Sequence, residues 1–174
     1  MPLQGDLSDE LVRIRDRLDR MQSQIAASNV VELVASANNT ETITVAGGAD
    51  SGFVALTSGP QLDVVTNSGQ ITVTVSARIS IPNANASAIA LCSYEIRDAA
   101  GVQVIAPDNL RALITYNGPD ASSMAQASYQ AVHNGLTPGK YTIKALYRFT
   151  DGPAGGAGPF SANFINRALI AKGY

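Results

Sequence analysis

The sequence predicts a mainly β protein: an antiparallel β-sandwich or jelly roll preceded by an N-terminal coiled-coil helix. Three observations carry this reading. An apolar heptad runs through the first 28 residues, the period changes to two from about residue 40, and turn chemistry then recurs at short intervals to the end of the chain. The 174 residues, 45% of them hydrophobic, suit one domain with a small appendage.

The helix comes first. Pro2 and Gly5 break the chain before Asp6, which can serve as N-cap, and no glycine or proline follows until after Ser28. Leu7, Leu11, Ile14, Leu18, Met21 and Ile25 are spaced alternately four and three apart, the roughly 3.5-residue period of a coiled-coil seam. With Leu11, Leu18 and Ile25 at position a and Leu7, Ile14 and Met21 at position d, the packing preference shifts from dimers to trimers or tetramers. Glu10 at g then faces Arg15 at e of a parallel neighbour. Asp9 with Arg13 and Asp16 with Arg20 are acid-first i,i+4 pairs, each worth a few tenths of a kcal/mol. About three heptads make a marginal helix in water, so this one needs the following domain or a docking partner. The same stripe would also suit one amphipathic helix packed on its own domain. The charged flanks leave little apolar surface for that and favour self-association.

Charge sets the boundaries. Nine acidic and basic residues fall between Asp6 and Arg20, whereas the rest are scattered thinly. This divides the chain into a helical oligomerisation or anchoring segment (1–28), a linker (29–39) and a β domain (40–174).

Within the β domain, residues 71–81 alternate apolar and polar for eleven positions, the signature of a half-buried strand. Tyr141, Ile143, Ala145, Tyr147 and Phe149 alternate in the same way with Thr142, Lys144, Arg148 and Thr150. Further strands are expected at 41–46, 52–57, 62–66, 88–97, 102–106, 110–116, 123–133 and 160–172, all rich in Val, Ile, Thr, Tyr and Phe. Turns such as Gly47-Gly48, Asn67-Ser68-Gly69, Asn134-Gly135 and Pro138-Gly139 separate them. The strand at 88–97 is apolar on both faces, which predicts either a subunit interface or a covering loop.

Residues suited to chemistry are sparse. One cysteine, Cys92, excludes an intrachain disulfide, and one histidine, His133, leaves no Cys/His zinc spacing. Cys92 alternates with Ala90 and Tyr94 and reads as a small buried hydrophobe. His133 precedes Asn134-Gly135 and reads as lining a turn. No serine sits in a nucleophile elbow. Glu95, Asp98, Asp108 and Asp120 lie beside turns and read as solvent-facing caps. The Gly-rich stretch 151–159 leads into a strand and holds no lysine, so it is a hairpin loop rather than a phosphate cradle. No catalytic residue, cofactor or metal ligand is expected. A net charge of −2 offers no footprint for nucleic acid or anionic lipid, and no run of about 18 apolar residues suggests membrane insertion. The alternately charged N-terminus does not read as a secretory signal, which implies synthesis in a cytoplasm.

A short charged heptad helix, a Gly/Ala/Asn/Thr-rich β domain and a closing strand together resemble the small virion-surface proteins of tailed bacteriophages. Residues 135–149, a Pro-Gly turn followed by an alternating strand, look like part of their jelly rolls, and residues 160–170 look like the final strand. The resemblance implies a non-enzymatic head fibre, capsid decoration protein or short tail appendage. It also implies a homotrimer held at the virion surface with other virion proteins as partners. A host-adsorbing receptor- or glycan-binding module is the other reading, with loops 117–123 and 151–159 as its contact surface. No individual functional residue carries over.

Overall fold

The computed structural model describes residues 10–21, 30–85, 87–117, 123–152 and 158–174. Residues 10–21 form one helix, α1. Ten strands follow: β1 (Glu32–Ala37), β2 (Glu41–Ala46), β3 (Gln61–Thr66), β4 (Ile71–Asn83), β5 (Ile89–Asp98), β6 (Gln103–Ile105), β7 (Leu113–Tyr116), β8 (Ser123–His133), β9 (Gly139–Thr150) and β10 (Pro159–Gly173). The antiparallel sandwich is thereby established.

The strands form two five-stranded sheets. In the first, β10 lies between β4 and an outer layer shared by β1 and β2, and β8 closes the far side in the order β1-β10-β4-β8. In the second, the order is β3-β9-β5-β6, with β7 taking the other half of the β5 edge. Every named pairing is antiparallel.

Period-two alternation builds the core between the sheets. From β4, Ile71, Val73, Val75, Ala77, Ile79 and Ile81 all point inward and are buried. From β9 and β5, Ile143, Ala145, Tyr147, Phe149, Ala90, Cys92, Tyr94 and Ile96 meet them. Tyr147 and Phe164 pack edge-on with ring centroids 5.0 Å apart. Between β3 and β4 the chain turns at Gly69, with φ +76°; a Cβ there would lie 2.0 Å from the Leu136 carbonyl oxygen, so only glycine fits.

Three expectations from the sequence need correction. Residues 32–37, inside the expected 29–39 linker, are a strand paired residue by residue with β10, and Leu33 packs on the core. Their alternation is real but built from small residues, so it reads weakly. Residues 52–57 are not a regular strand. They run beside β9 through two isolated bridges, Asp50 with Thr150 and Val54 with Tyr147. Four steps on one side match three on the other, and that extra residue breaks the ladder. Residues 110–116 are divided. The Asp108 side chain accepts from the Leu110 amide and starts a 3-10 turn over Asn109–Arg111, so the strand begins only at Leu113.

The doubly apolar strand β5 is central in its sheet, and a loop covers its outer face. The Ser93 hydroxyl lies 2.8 Å from the Arg111 carbonyl oxygen and 3.3 Å from that of Asp108, which holds the 108–111 turn down.

A buried charge organises one corner. In β10 the inward face is Phe160, Ala162 and Phe164 up to the bulge, then Arg167, Leu169 and Ala171 beyond it. Asn166, at φ +47°, absorbs the shift of one residue. Arg167 is 0% exposed. Its guanidinium donates to Asn39 Oδ1 at 2.6 Å and to Glu41 Oε1 at 3.0 Å, and it lies 5.6 Å from the centre of the Tyr147 ring. Glu41 also accepts from the Thr57 and Ser58 amides at 2.7 and 2.8 Å. Burial pushes the Glu41 carboxyl up, but the Ser58 amide, the Arg167 guanidinium and the Asn39 amide together outweigh it and bring it to about 2.

Glu41→Ala would leave Arg167 as an uncompensated buried charge and should cost about 3–5 kcal/mol, read as a lower urea midpoint. The folded-state pKa of Glu41 lies below its unfolded value. Its contribution is therefore complete above about pH 4.5 and lost as pH falls towards about 2. Acid titration of the Glu41→Ala variant should show a shallower loss of stability across that window than the parent protein.

Candidate functional site

The helix seam is the feature of α1 that the sandwich does not use. All of residues 10–21 are exposed. Leu11, Ile14, Leu18 and Met21 follow one stripe of the helix and are 64, 50, 52 and 48% exposed. Leu7 and Ile25, the outer members of the predicted seam, lie outside the described residues, as does Asp9. Of the predicted acid-base pairs, Asp16 and Arg20 can be followed. Arg20 Nε donates to the Asp16 main-chain carbonyl at 3.2 Å. Among the described residues nothing covers the stripe, and burying such side chains is worth roughly 1.5–3 kcal/mol each.

His133 ends β8, where the sequence places it, but its environment is more specific than a turn. Its Nε2 lies 2.7 Å from the Tyr94 hydroxyl, and the rings meet edge-on with centroids 5.7 Å apart. Burial, helped by the nearby positive charge of Arg111, pushes the imidazole below its ordinary pKa. Burial likewise pushes the Tyr94 phenol up. Two neutral groups thus share one hydrogen bond that ties β8 to β5 across the sandwich.

Cys92 is buried, as its alternation predicts. Burial pushes its thiol up to about 12, against the pull of Arg167, so it carries no thiolate near neutral pH.

The acids divide. Asp98 caps its own turn through the Ala100 and Val102 amides, each at 2.9 Å, and Asp108 caps the 3-10 turn. Glu95 departs from the expected solvent-facing role. It is buried on the outer face of β5 and accepts from Arg97 at 2.8 Å and Gln103 at 2.7 Å. The Arg97 hydrogen bond holds its carboxyl below the ordinary carboxylate range. Asp120 lies outside the described residues. Asp151, at the head of the Gly-rich stretch, is fully buried and accepts from the Gly48 amide at 3.1 Å and the Asn85 amide at 3.0 Å. Residues 118–122 and 153–157 of the two candidate contact loops lie outside the described residues.

Glu95 borders a polar cavity of about 450 Å³ on the outer face of the second sheet. Lys140, Lys144, Arg97, Gln61 and Thr142 supply its donors, and Asp98 lies at its rim. Lys140 is paired with Asp63 at 2.7 Å. Among the described residues, no three His, Cys, Asp or Glu side chains gather as a metal site, and no helix is long and apolar enough to cross a membrane. Arg167 and Glu41 escaped the sequence reading, and Glu95 was read as solvent-facing. The one available signal was a lone arginine inside the alternating apolar run of residues 160–170.

No protein-family model and no curated protein sequence matches the chain. Its fold is nevertheless shared with solved viral structures. The structure of the Gt strain of infectious bursal disease virus aligns with a TM-score of 0.56 at 15% identity, over 84% of this chain and 33% of that one. The Gx strain gives 0.57 at 16% identity, and the VP2 subviral particle of the same virus gives 0.55 at 16% identity, each over 84% of this chain and 33% of that one. At this identity the likeness is one of fold, a β-sandwich found in viral particle proteins. The chain spans about a third of the length of those viral chains.

The Cys92 thiol should resist a disulfide reagent such as Ellman's at neutral pH. Native protein should release about no thiol equivalent on the time scale in which urea-unfolded protein releases about one. Rapid reaction of the native protein would show that the core around Cys92 opens.

Proposed function

We propose that the chain is a non-enzymatic structural protein of a virion: a capsid- or tail-attached fibre or decoration protein of a tailed bacteriophage. In this reading the N-terminal helix trimerises the protein or anchors it to other virion proteins, and the sandwich is displayed at the virion surface. The protein is made in the cytoplasm of a bacterial host. The observation that carries the proposal is an apolar helix stripe, exposed among the described residues, placed ahead of a sandwich whose core does not include it. The sandwich's fold, shared with viral particle proteins, supports it, and so does the resemblance of its organisation to phage surface proteins. Its partners are copies of itself and other virion proteins, without nucleic acid and without membrane insertion. No cofactor is required.

A second reading rests on the cavity beside Glu95. A concave site of about 450 Å³ lined by lysine, arginine, glutamine and threonine donors offers the chemistry needed to hold a polar saccharide of a host surface. Saturable binding on a glycan array, lost in the Lys144→Ala variant, would favour this receptor-binding role.

Light scattering should give about three times the 18.1 kDa chain mass. A monomer at tens of micromolar, with no virion partner that captures it, would overturn the seam. Replacing Ile14 and Leu18 together with Asp should abolish the trimer, because each change puts a charge into an apolar contact at several kcal/mol if buried. The β-sheet circular dichroism should survive, because the sandwich core contains neither residue.

A further inference from the structure

The geometry points to a second self-association site: two copies of the chain pair β8 with β8, antiparallel across a two-fold axis, joining their first sheets into one. This contact is separate from the helix seam and lies on the sandwich.

Among the described residues, β8 has β4 on one side and no strand on the other. Its outer edge therefore presents a row of amide and carbonyl groups suited to another strand. Proteins usually blunt such edges with charge, proline or short length. The other edges here are blunted. β1 carries Glu32, β2 carries Glu41, β3 carries Asp63, and β6 and β7 have three and four residues. β8 is eleven residues long, Ser-Met-Ala-Gln-Ala-Ser-Tyr-Gln-Ala-Val-His, with no acidic or basic residue apart from its terminal histidine and no proline. His133 is engaged with Tyr94 and held neutral.

The occupant is identified by the order of those residues. Centred on Ser128, antiparallel self-pairing sets Gln126 against Gln130, Ala125 against Ala131, and Met124 against Val132. Amide meets amide, methyl meets methyl, and thioether meets isopropyl. Ala127 falls opposite Tyr129, a small residue beside the one large ring. All of these pairs respect the faces of the existing sheet. Met124, Gln126, Ser128, Gln130 and Val132 lie outward, and Ala125, Tyr129 and Ala131 lie on the half-buried inner side. Shifting the centre to Ala127 would oppose Met124 to Gln130 and Ala125 to Tyr129, so one register is distinguished. Met124 and Val132 are 57% and 53% exposed in the single chain, so the pairing has apolar surface to cover. Behind them, β4 presents Thr72, Thr74 and Ser76 in register with Val132, Gln130 and Ser128, so an incoming copy meets no charge along that half of the edge. On the other half, the Arg78 guanidinium is laid on Met124, its Nε 3.0 Å from Sδ. A two-fold pairing also brings no like charges together, which no partner strand of fixed charge would require.

The test uses the full chain carrying Ile14→Asp and Leu18→Asp, so that association through the helix is removed. Sedimentation equilibrium should show a monomer–dimer equilibrium at hundreds of micromolar. Amide exchange along residues 123–133 should slow as concentration rises. Adding Ser128→Lys, outward-facing and opposite the uncharged Ser76 within the chain, should weaken the dimer by roughly tenfold or more while leaving the thermal midpoint of the monomer unchanged. Ser128→Glu alone should act in the same direction and guards against a lysine-specific artefact. A helix-disrupted chain that stays monomeric at those concentrations overturns the proposal. So does a dimer indifferent to all these substitutions. Trimer formation by the unaltered chain is a separate readout, so failure of the helix seam and failure of the β8 pairing are distinguishable.

Discussion

The sandwich depends on how one strand serves two neighbours. β10 pairs with β2 over residues 159–164 and with β1 over residues 167–172, while β4 runs along its other side. The change of neighbour needs a break in register, and the chain makes it with the bulge at Asn166. A bulge alone would leave the crossover from β1 to β2 unsupported. Arg167 closes it, binding Asn39 at the crossover and Glu41 at the start of β2, while Glu41 reaches the 57–58 backbone on the opposite side. A buried ion pair contributes little net stability by itself, since desolvation offsets much of the attraction. Its value here is geometric. It joins β1, β2, β10 and the segment beside β9 at a single point, and removing either charge strands the other.

With that corner fixed, the core is complete without the helix. The residues of β4, β5, β9 and β10 bury one another, and none requires α1. Among the described residues, nothing covers the helix stripe. Leucine at one seam position and isoleucine at the other make the stripe specific in shape, and the charged flanks make it narrow. A narrow apolar seam suits helix–helix packing better than adsorption to a broad sheet face. A sandwich core that holds no residue of α1, and a helix stripe exposed among the described residues, are what support attachment as the proposed role of the N-terminal segment.

Most of the sheet was legible because alternation survives wherever a strand has one buried face. β4 shows this over Ile71 to Ile81, and β9 from Tyr141 to Phe149. Legibility failed where a non-local or main-chain effect took over. Leu33, Ala35 and Ala37 alternate, but small residues give a weak signal, and only pairing with β10 makes β1 a strand. Residues 52–57 have β-forming side chains, yet an extra residue against β9 disperses the ladder. In β10 the inward parity flips at Asn166, and no pattern in the side chains announces a bulge. Glu41 and Arg167 sit 126 residues apart, so their pairing is invisible to any local reading. The seam is legible because heptad spacing is local, and Leu11, Ile14, Leu18 and Met21 share a face of α1 for that reason alone.

The fate of the titratable groups bears on the same question. Histidine, cysteine and buried carboxylates are the usual carriers of chemistry, and here each is engaged in structure. His133 is neutral and bound to Tyr94. Cys92 lies in the core with its thiol protonated. Glu41 is held by Arg167 and two amides, Glu95 by Arg97 and Gln103, and Asp151 by Gly48 and Asn85. The bonds of His133, Glu41 and Asp151 join separate elements, and Glu95 is tied to its own strand by Arg97 and to β6 by Gln103. What the chain leaves free is of another kind: an apolar stripe on α1 and an uncharged free edge on β8. Neither carries a reactive group: the stripe exposes apolar side chains, and the edge exposes main-chain amides and carbonyls. The side chains most suited to chemistry among the described residues are thus engaged in holding the fold, and the exposed stripe and edge are what support the proposed role in assembly.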